Sequence, residues 1–279
     1  MTEDEFAAYQ SLSEETEDHR WAFGTGFTDP LEGIDASVPE GVDAGALTAY
    51  CLALGDDALI YAHRLQQWMT RMPELEEETA LANIALDLLG QARMLLARAG
   101  QAEGAGRRED DLAFFRDEHE FRSVRLAEHA DADFAQLAGR MLVFSAWRLA
   151  LFGRLADSAD PVLAAIAAKS ARELAYHRDY AAQWVIRLGD GTSLSHDRMA
   201  AALEAIWPLT DELFQPDPVA ARSGSNTMRR IGSSKFRPIT IKSSLRAIPT
   251  GIRTSDWSSK KEARGLTTLV EGRRSIRRA

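Results

Sequence analysis

Two segments of this chain carry acidic and imidazole side chains at spacings that suit a carboxylate-bridged di-iron site. They are LANIALDLLGQAR (residues 81–93) and KSARELAYHRDY (residues 169–180). In a four-helix bundle, such a site takes Glu-x-x-His from two helices and one carboxylate from each of the other two. The three-residue spacing puts both side chains on one inward face of a helix. If metal binds here, the protein could carry out oxygen chemistry or store iron. If it does not, the protein has a role without metal.

Both segments lack part of the required ligand set. Asp87 is followed at that spacing by Gly90, and His177 is preceded by Leu174, with Glu173 displaced by one residue. A di-iron site needs four carboxylates and two imidazoles. The best count available in this sequence is two carboxylates and one imidazole, so the residues predict that this chain does not bind iron.

The third long helix gives the strongest evidence against a metal site. Residues 134–155 contain neither Asp nor Glu, so one wall of the bundle offers no oxygen ligand. In the first helix, Asp56 and Asp57 follow a glycine. Asp57 shares a face with Tyr61 and is predicted to be the one that points inward.

Without metal, Asp57, Asp87 and His177 are predicted to form a buried polar cluster in which they and Arg148 satisfy one another. Buried charges persist only when they are paired or hydrogen-bonded. The alternative is that these side chains face solvent or an interface. Cys51, the lone cysteine, is interpreted as a buried small hydrophobic residue at the start of a helix.

The remaining histidines and tryptophans do not assemble into a site. His19 and His63 have no acid or nucleophile at helical spacing and are predicted to lie at a surface or interface. His119 and His129 flank an acidic segment, which is interpreted as a solvated or partner-facing loop rather than a metal site. The helical tryptophans are predicted to pack in the core or an interface: Trp68, Trp147, Trp184 and Trp207.

Helical periodicity predicts four long helices and a shorter fifth, with no segment of strand period. The predicted ranges are 46–71, 73–100 with a stop at Gly100, 133–156, 160–188 and 195–214, the last interrupted near Pro208. The long connection between the second and third helices is typical of a ferritin-like bundle. The predicted fold is therefore an all-α, ferritin-like four-helix bundle with an additional C-terminal helix.

Charge and composition divide the 279 residues into three parts. Residues 222–279 hold 15 Lys+Arg and 3 Asp+Glu, a charge of +12, which leaves −21 on residues 1–221. We predict an acidic, largely irregular N-terminal arm (1–43), a helical bundle (44–221) and an atypical basic tail (222–279). The tail has no helical or strand period, which favours an out-of-frame C-terminus over a nucleic-acid-binding arm or an irregular domain end.

The residues also bear on location. No basic N-terminal segment precedes an apolar run, and we expect no stretch to approach the length of a membrane span. The expected location is the cytoplasm, with neither membrane nor nucleic acid as a partner.

Residues 45–220 resemble one family closely. The segments are AYCLALGDDALIYAHRLQQW, PELEEETALANIALDLLGQARMLL, AFFRDEHEFR and KSARELAYHRDYAAQWVIRLGDGT. They are similar to the ferritin-like C subunits of phenylacetyl-CoA epoxidase (phenylacetate-CoA oxygenase), a multicomponent monooxygenase.

The resemblance implies a division of labour. A sister subunit of type A would carry the di-iron site and bind the acyl-CoA, while the C-type chain would be a structural scaffold with no cofactor of its own. A reductase with flavin and iron-sulfur centres would supply electrons from NADPH, and the product would be the ring 1,2-epoxide. The alternative is an independent ferritin-like di-iron oxygenase or metal-storage protein.

Overall fold

The computed structural model describes residue 31, residues 33–72 and residues 74–214 of the chain. The helices all belong to one compact unit, which begins at Ile34. They are α1 (Ala44–Met69), α2 (Leu75–Glu103), α3 (Glu109–Phe114), α4 (Arg125–Glu128), α5 (Phe134–Leu155), α6 (Pro161–Gly189) and α7 (Ser193–Ile206). Short 3-10 turns lie at Glu118–Glu120, Trp207–Thr210 and Glu212–Phe214.

The predicted all-α, ferritin-like architecture is confirmed. Helix α1 packs along α2, α5 packs along α6, and the two pairs meet where α2 contacts α6. The pairs also meet through Tyr61 of α1 and Phe144 of α5, whose ring centroids lie 4.2 Å apart. The segment between α2 and α5, residues 104–133, carries α3 and α4 and is called the crossover below. Helix α7 packs on α5 and α6 and is the additional C-terminal helix.

The polar residues predicted to begin the helices do so. The carboxylate of Asp133 accepts from the backbone N–H of Gln136 at 2.9 Å, and Asp160 accepts from that of Leu163 at 2.7 Å. These bonds satisfy backbone donors that the first helical turn leaves unpaired. The last helix is interrupted at Pro208, as predicted, because proline cannot continue the hydrogen-bond ladder.

The predicted end of the second helix at Gly100 is wrong. Helix α2 continues to Glu103, and the left-handed residue that ends it is Gly104, at φ 69°. Gly100 is required for a different reason, since a Cβ built there would lie 2.1 Å from the carbonyl oxygen of Arg107. The crossover backbone passes directly over α2 at this point.

The expectation that no stretch approaches the length of a membrane span is also corrected. By length and composition, α2 could cross a bilayer, because an 18-residue window has a mean hydropathy of 1.3. The core helix of a soluble bundle passes the same test, and α2 packs against both α1 and α6. Its apolar character therefore has an explanation in the bundle.

Arg98 of α2 connects the bundle to the chain that enters it. Its guanidinium forms a fully buried ion pair with Asp160 at the start of α6. The same guanidinium donates to the carbonyl oxygen of Ala36, which lies in the range predicted as an irregular arm. The predicted domain boundaries stay predictions, and most of the arm, His19 and the whole tail 222–279 lie outside the described residues.

We predict opposite effects for alanine at two glycines of α2. Gly100→Ala places a methyl group against the carbonyl oxygen of Arg107 and should destabilise the protein by more than about 1 kcal/mol. Gly90→Ala meets no atom within 4 Å and should stabilise it by about 0.5–1 kcal/mol, because alanine loses less backbone entropy in a helix. Urea unfolding of both variants measures this, and equal effects would contradict the close approach at Gly100.

Candidate functional site

The predicted pairing of Asp87 and His177 is present. His177 of α6 is buried, and its Nε2 lies 2.9 Å from Oδ2 of Asp87 on α2. The Asp87 side chain is 39% exposed, so the pair lies at the edge of the bundle interior, where α2 meets α6. The other ring nitrogen of His177, Nδ1, is buried and has no hydrogen-bond partner in the part of the chain that the structure describes.

Asp57 does not join that pair, so the predicted cluster of three is divided. Its Oδ1 accepts from the backbone N–H of Val124 in the crossover at 2.8 Å. Burial raises the pKa of the Asp57 carboxyl to about 7, while the positive charge of Arg148 and the bond from Val124 act in the opposite direction. The charges of Asp57 and Arg148 therefore interact, as predicted, but the hydrogen bond of Asp57 goes to the crossover.

Asp57 is buried, as expected of an inward residue, but Asp56 is buried as well. Its carboxylate forms an ion pair with Arg116 and accepts from the backbone N–H of Arg122 at 2.9 Å. Both partners belong to the crossover. Successive residues of a helix point in different directions. Asp56 and Asp57 are both buried because the crossover covers a side of α1 that the other long helices leave open.

Asp56 and Asp57 therefore hold the crossover on the bundle. Further contacts fix the same segment from α5. Arg140 forms a buried ion pair with Asp131, and its Nη1 donates to the carbonyl oxygens of Leu126 and Ala127 at 3.2 and 3.3 Å. The backbone of the crossover obtains hydrogen-bond partners in this way although it has little regular structure.

Arg148 of α5 occupies the middle of the bundle. Its Nε donates to Oε1 of Gln91 at 3.1 Å, and its Nη2 donates to the carbonyl oxygen of Leu54 at 3.0 Å. Its guanidinium carbon lies 4.4 Å from the ring centroid of Phe152. Burial lowers the pKa of Arg148 to about 10, and the negative charge of Asp57 partly offsets that effect.

Gln91 extends this network to the fourth helix of the bundle. Its Nε2 donates to Oε2 of Glu173 on α6 at 3.0 Å, and Glu173 also pairs with Lys169. Sequence reasoning missed Gln91. The signal was present, since Gln91 lies one turn after Asp87 and Glu173 lies one turn before His177, so both pairs follow one face of their helices.

These residues do not match the ligand set of a di-iron centre. Among the residues that the structure describes, no three His, Cys, Asp or Glu side chains converge where they could hold a metal ion. Leu174 is buried at the position where the spacing requires a glutamate, and the wall formed by α5 contributes the cation of Arg148. At Gly90, where the spacing requires a histidine, there is no side chain, and a Cβ built there would meet no neighbouring group within 4 Å.

A second contact between α2 and α6 uses Glu77. Its carboxylate accepts from the hydroxyl of Tyr180 and from Nε1 of Trp184, the latter at 2.9 Å. Burial and the nearby Glu77 raise the pKa of the Tyr180 hydroxyl above its usual value. Because Glu77 lies in the first turn of α2, its charge is also favourable to the helix dipole.

The other residues singled out by sequence stand apart from this centre. Cys51 is buried, as predicted, and burial raises the pKa of its thiol to about 12. His63 and His119 are exposed, and His129 is half-buried. Trp147 is buried, while the other three helical tryptophans, Trp68, Trp184 and Trp207, are half-buried.

Two comparisons with known proteins bear on this arrangement. A family model described as Phenylacetic acid catabolic protein matches residues 35–244, a range that extends beyond residues 45–220 at both ends. The C subunit of the 1,2-phenylacetyl-CoA epoxidase of Escherichia coli (strain K12), a curated protein, is 47% identical over 173 residues. The aligned part is 62% of this chain and 69% of the Escherichia coli protein.

We predict that the raised pKa of Asp57 makes stability depend on pH. An unfolded aspartate has a pKa of about 3.9, so between about pH 4 and pH 7 the folded protein binds more protons at Asp57 than the unfolded chain does. This contribution to stability is present at low pH and is lost as the pH rises through the folded pKa.

The Asp57→Asn variant removes this titration but keeps an oxygen that can accept from Val124. From pH 5 to pH 7.5, its free energy of unfolding should rise relative to that of the parent by about 1 kcal/mol or more. Urea unfolding at both pH values measures the change, with Asp179→Asn as the reference for loss of an exposed carboxylate. A parallel pH dependence of the parent and the Asp57→Asn variant would show that Asp57 does not titrate in this range.

Proposed function

The chain belongs to the Phenylacetic acid catabolic protein family, and from this premise we propose that it is the non-catalytic, structural subunit of a phenylacetyl-CoA 1,2-epoxidase. The resemblance seen in the sequence is confirmed by both comparisons, and the chain is a protein of phenylacetate catabolism related to a subunit of an epoxidase. The proposal adds the role: this subunit supports the chemistry that a partner performs.

One observation carries the proposal. The polar groups at the centre of the bundle bond to other protein groups, with Arg148 donating to Gln91 and to the carbonyl oxygen of Leu54 and with Asp57 accepting from Val124 of the crossover. The remaining histidine, His177, already has a carboxylate partner in Asp87.

The proposed complex places the di-iron centre and the acyl-CoA in a second ferritin-like subunit. A reductase component with flavin and iron-sulfur centres would deliver electrons from NADPH, and the complex would act in the cytoplasm. These assignments follow from the resemblance of the chain to C subunits. The chain itself holds no cofactor in this proposal.

The surface of the bundle supports a subunit role. Leu86 of α2 is 47% exposed and Tyr176 of α6 is 54% exposed, beside the Asp87–His177 pair where these helices meet. Exposed apolar surface of this kind is typical of proteins that associate with a partner.

The second candidate, a ferritin-like di-iron protein acting alone, has one observation in its favour, which is the His177–Asp87 pair. A histidine and a carboxylate in contact are also found around metals. The two functions differ in the metal content that they predict for the isolated chain.

We predict that co-expression of this chain with an A-type subunit gives a stable complex in which the partner holds the iron. Metal analysis of the separated chains should find well below one iron in this chain and about two in the partner, as a di-iron site requires. About two irons in this chain, or no complex at micromolar concentration, would overturn the proposal.

A matched pair of variants tests whether His177 takes part in the reaction. In the reconstituted complex, His177→Asn and Asp87→Asn should keep epoxide formation within about twofold of the parent, whereas loss of a general acid or base would lower the rate by about a hundredfold or more. Circular dichroism of each variant shows whether a lower rate comes from a loss of folded protein.

A further inference from the structure

Two adjacent phenylalanines project from the crossover. Phe114, the last residue of α3, is 71% exposed, and Phe115, which follows it, is 81% exposed. In the described part of the chain they are the only consecutive pair among the large hydrophobic side chains that are exposed. An aromatic side chain of this size carries a large apolar surface that is unfavourable in water.

The exposure does not come from a loosely held segment. Leu112, two residues before Phe114, is buried. Arg116, directly after Phe115, forms the ion pair with buried Asp56 and donates to the carbonyl oxygen of Leu112. The two phenyl rings are therefore displayed by backbone that is fixed to the bundle on both sides, so little ordering entropy is lost when a partner covers them.

The charge around the two rings is negative. Residues 108–122 contain six carboxylates and three arginines. One of the three arginines, Arg116, forms the ion pair with buried Asp56. The other two, Arg108 and Arg122, are exposed. The exposed carboxylates of this segment are Asp110, Asp117, Glu118 and Glu120.

We propose that Phe114 and Phe115 are the hydrophobic anchor through which this chain docks its ferritin-like partner subunit. The partner's surface would offer an apolar recess bordered by Lys or Arg side chains. This inference rests on the proposed function, because it names the surface by which the scaffold holds its partner. Aromatic residues at the centre of an interface with charged residues at the rim are the common arrangement of binding hot spots.

The charge pattern distinguishes this partner from a second copy of the chain. In a symmetric dimer the same patch faces itself, so the carboxylates around Phe114 and Phe115 would be brought together with those of the second copy. Like charges in such a position oppose association, whereas a basic rim would favour it and speed the encounter.

The test measures binding of the full-length chain to the purified A-type subunit by titration calorimetry. The Phe114→Ala/Phe115→Ala double variant should bind about thirtyfold more weakly or worse, as loss of a hot-spot pair does. Leu194→Ala is the matched control, because Leu194 is a large apolar residue 61% exposed at the start of α7. It should bind like the parent. Thermal unfolding shows that each variant is folded.

A charge variant tests the rim separately. Asp117→Lys/Glu118→Lys should slow association and reduce its dependence on salt, with a smaller effect on dissociation. An unchanged association rate would show that the carboxylates around Phe114 and Phe115 do not contribute to docking.

The outcomes separate the two proposals. If the parent binds the partner and the double phenylalanine variant binds it equally well, the inferred anchor is wrong and the scaffold function stands. If the parent does not bind the partner, both fail. If the parent forms a dimer by itself that the double variant loses, the rings serve a second copy, and the docking inference is overturned.

Discussion

The buried guanidinium of Arg148 is the constraint on which the bundle interior depends. A charge with no access to water must have polar partners, because burying it unpaired costs several kcal/mol of desolvation free energy. Arg148 obtains them from α1, through the carbonyl oxygen of Leu54, and from α2, through Gln91. Gln91 in turn binds Glu173 of α6. One side chain of α5 is thereby connected, directly or through Gln91, to the three other long helices.

The negative charges of the interior follow from the same constraint. Asp57 lies close enough to Arg148 for each charge to influence the other's pKa, yet its hydrogen bond goes to the crossover. Asp56 likewise takes its partners, Arg116 and the N–H of Arg122, from the crossover. Both carboxylates of α1 thus attach the crossover to the bundle.

Sequence reasoning succeeded where a local pattern decides the structure. Asp133 and Asp160 begin helices because their side chains reach backbone donors three residues away, and Pro208 interrupts a helix wherever the chain folds. The Asp87–His177 pair was also foreseeable, because helical spacing places both residues on inward faces. These features require no knowledge of which segments meet.

Two of the departures from prediction, those at Gly100 and Asp56, share one cause, which is contact with the crossover. Gly100 has the sequence context of a helix end, but it is a glycine because the backbone at Arg107 passes over it. Asp56 is expected to be the outward neighbour of Asp57, but the crossover covers it. No periodicity in the sequence predicts where an irregular segment of this length will lie. The partners of Asp56 and Asp57 depended on that path.

The buried carboxylates of α1 have cationic partners within the chain. Four carboxylates gathered around an empty metal site repel one another and raise one another's pKa values, so a di-iron bundle gains stability from its metal. Here the two neighbouring carboxylates, Asp56 and Asp57, each have a cation close by, Arg116 and Arg148. Helix α5 carries Arg148 and no carboxylate, so the positive charge beside Asp57 comes from the chain itself. That charge lowers the Asp57 pKa, but burial acts in the opposite direction and is the stronger influence.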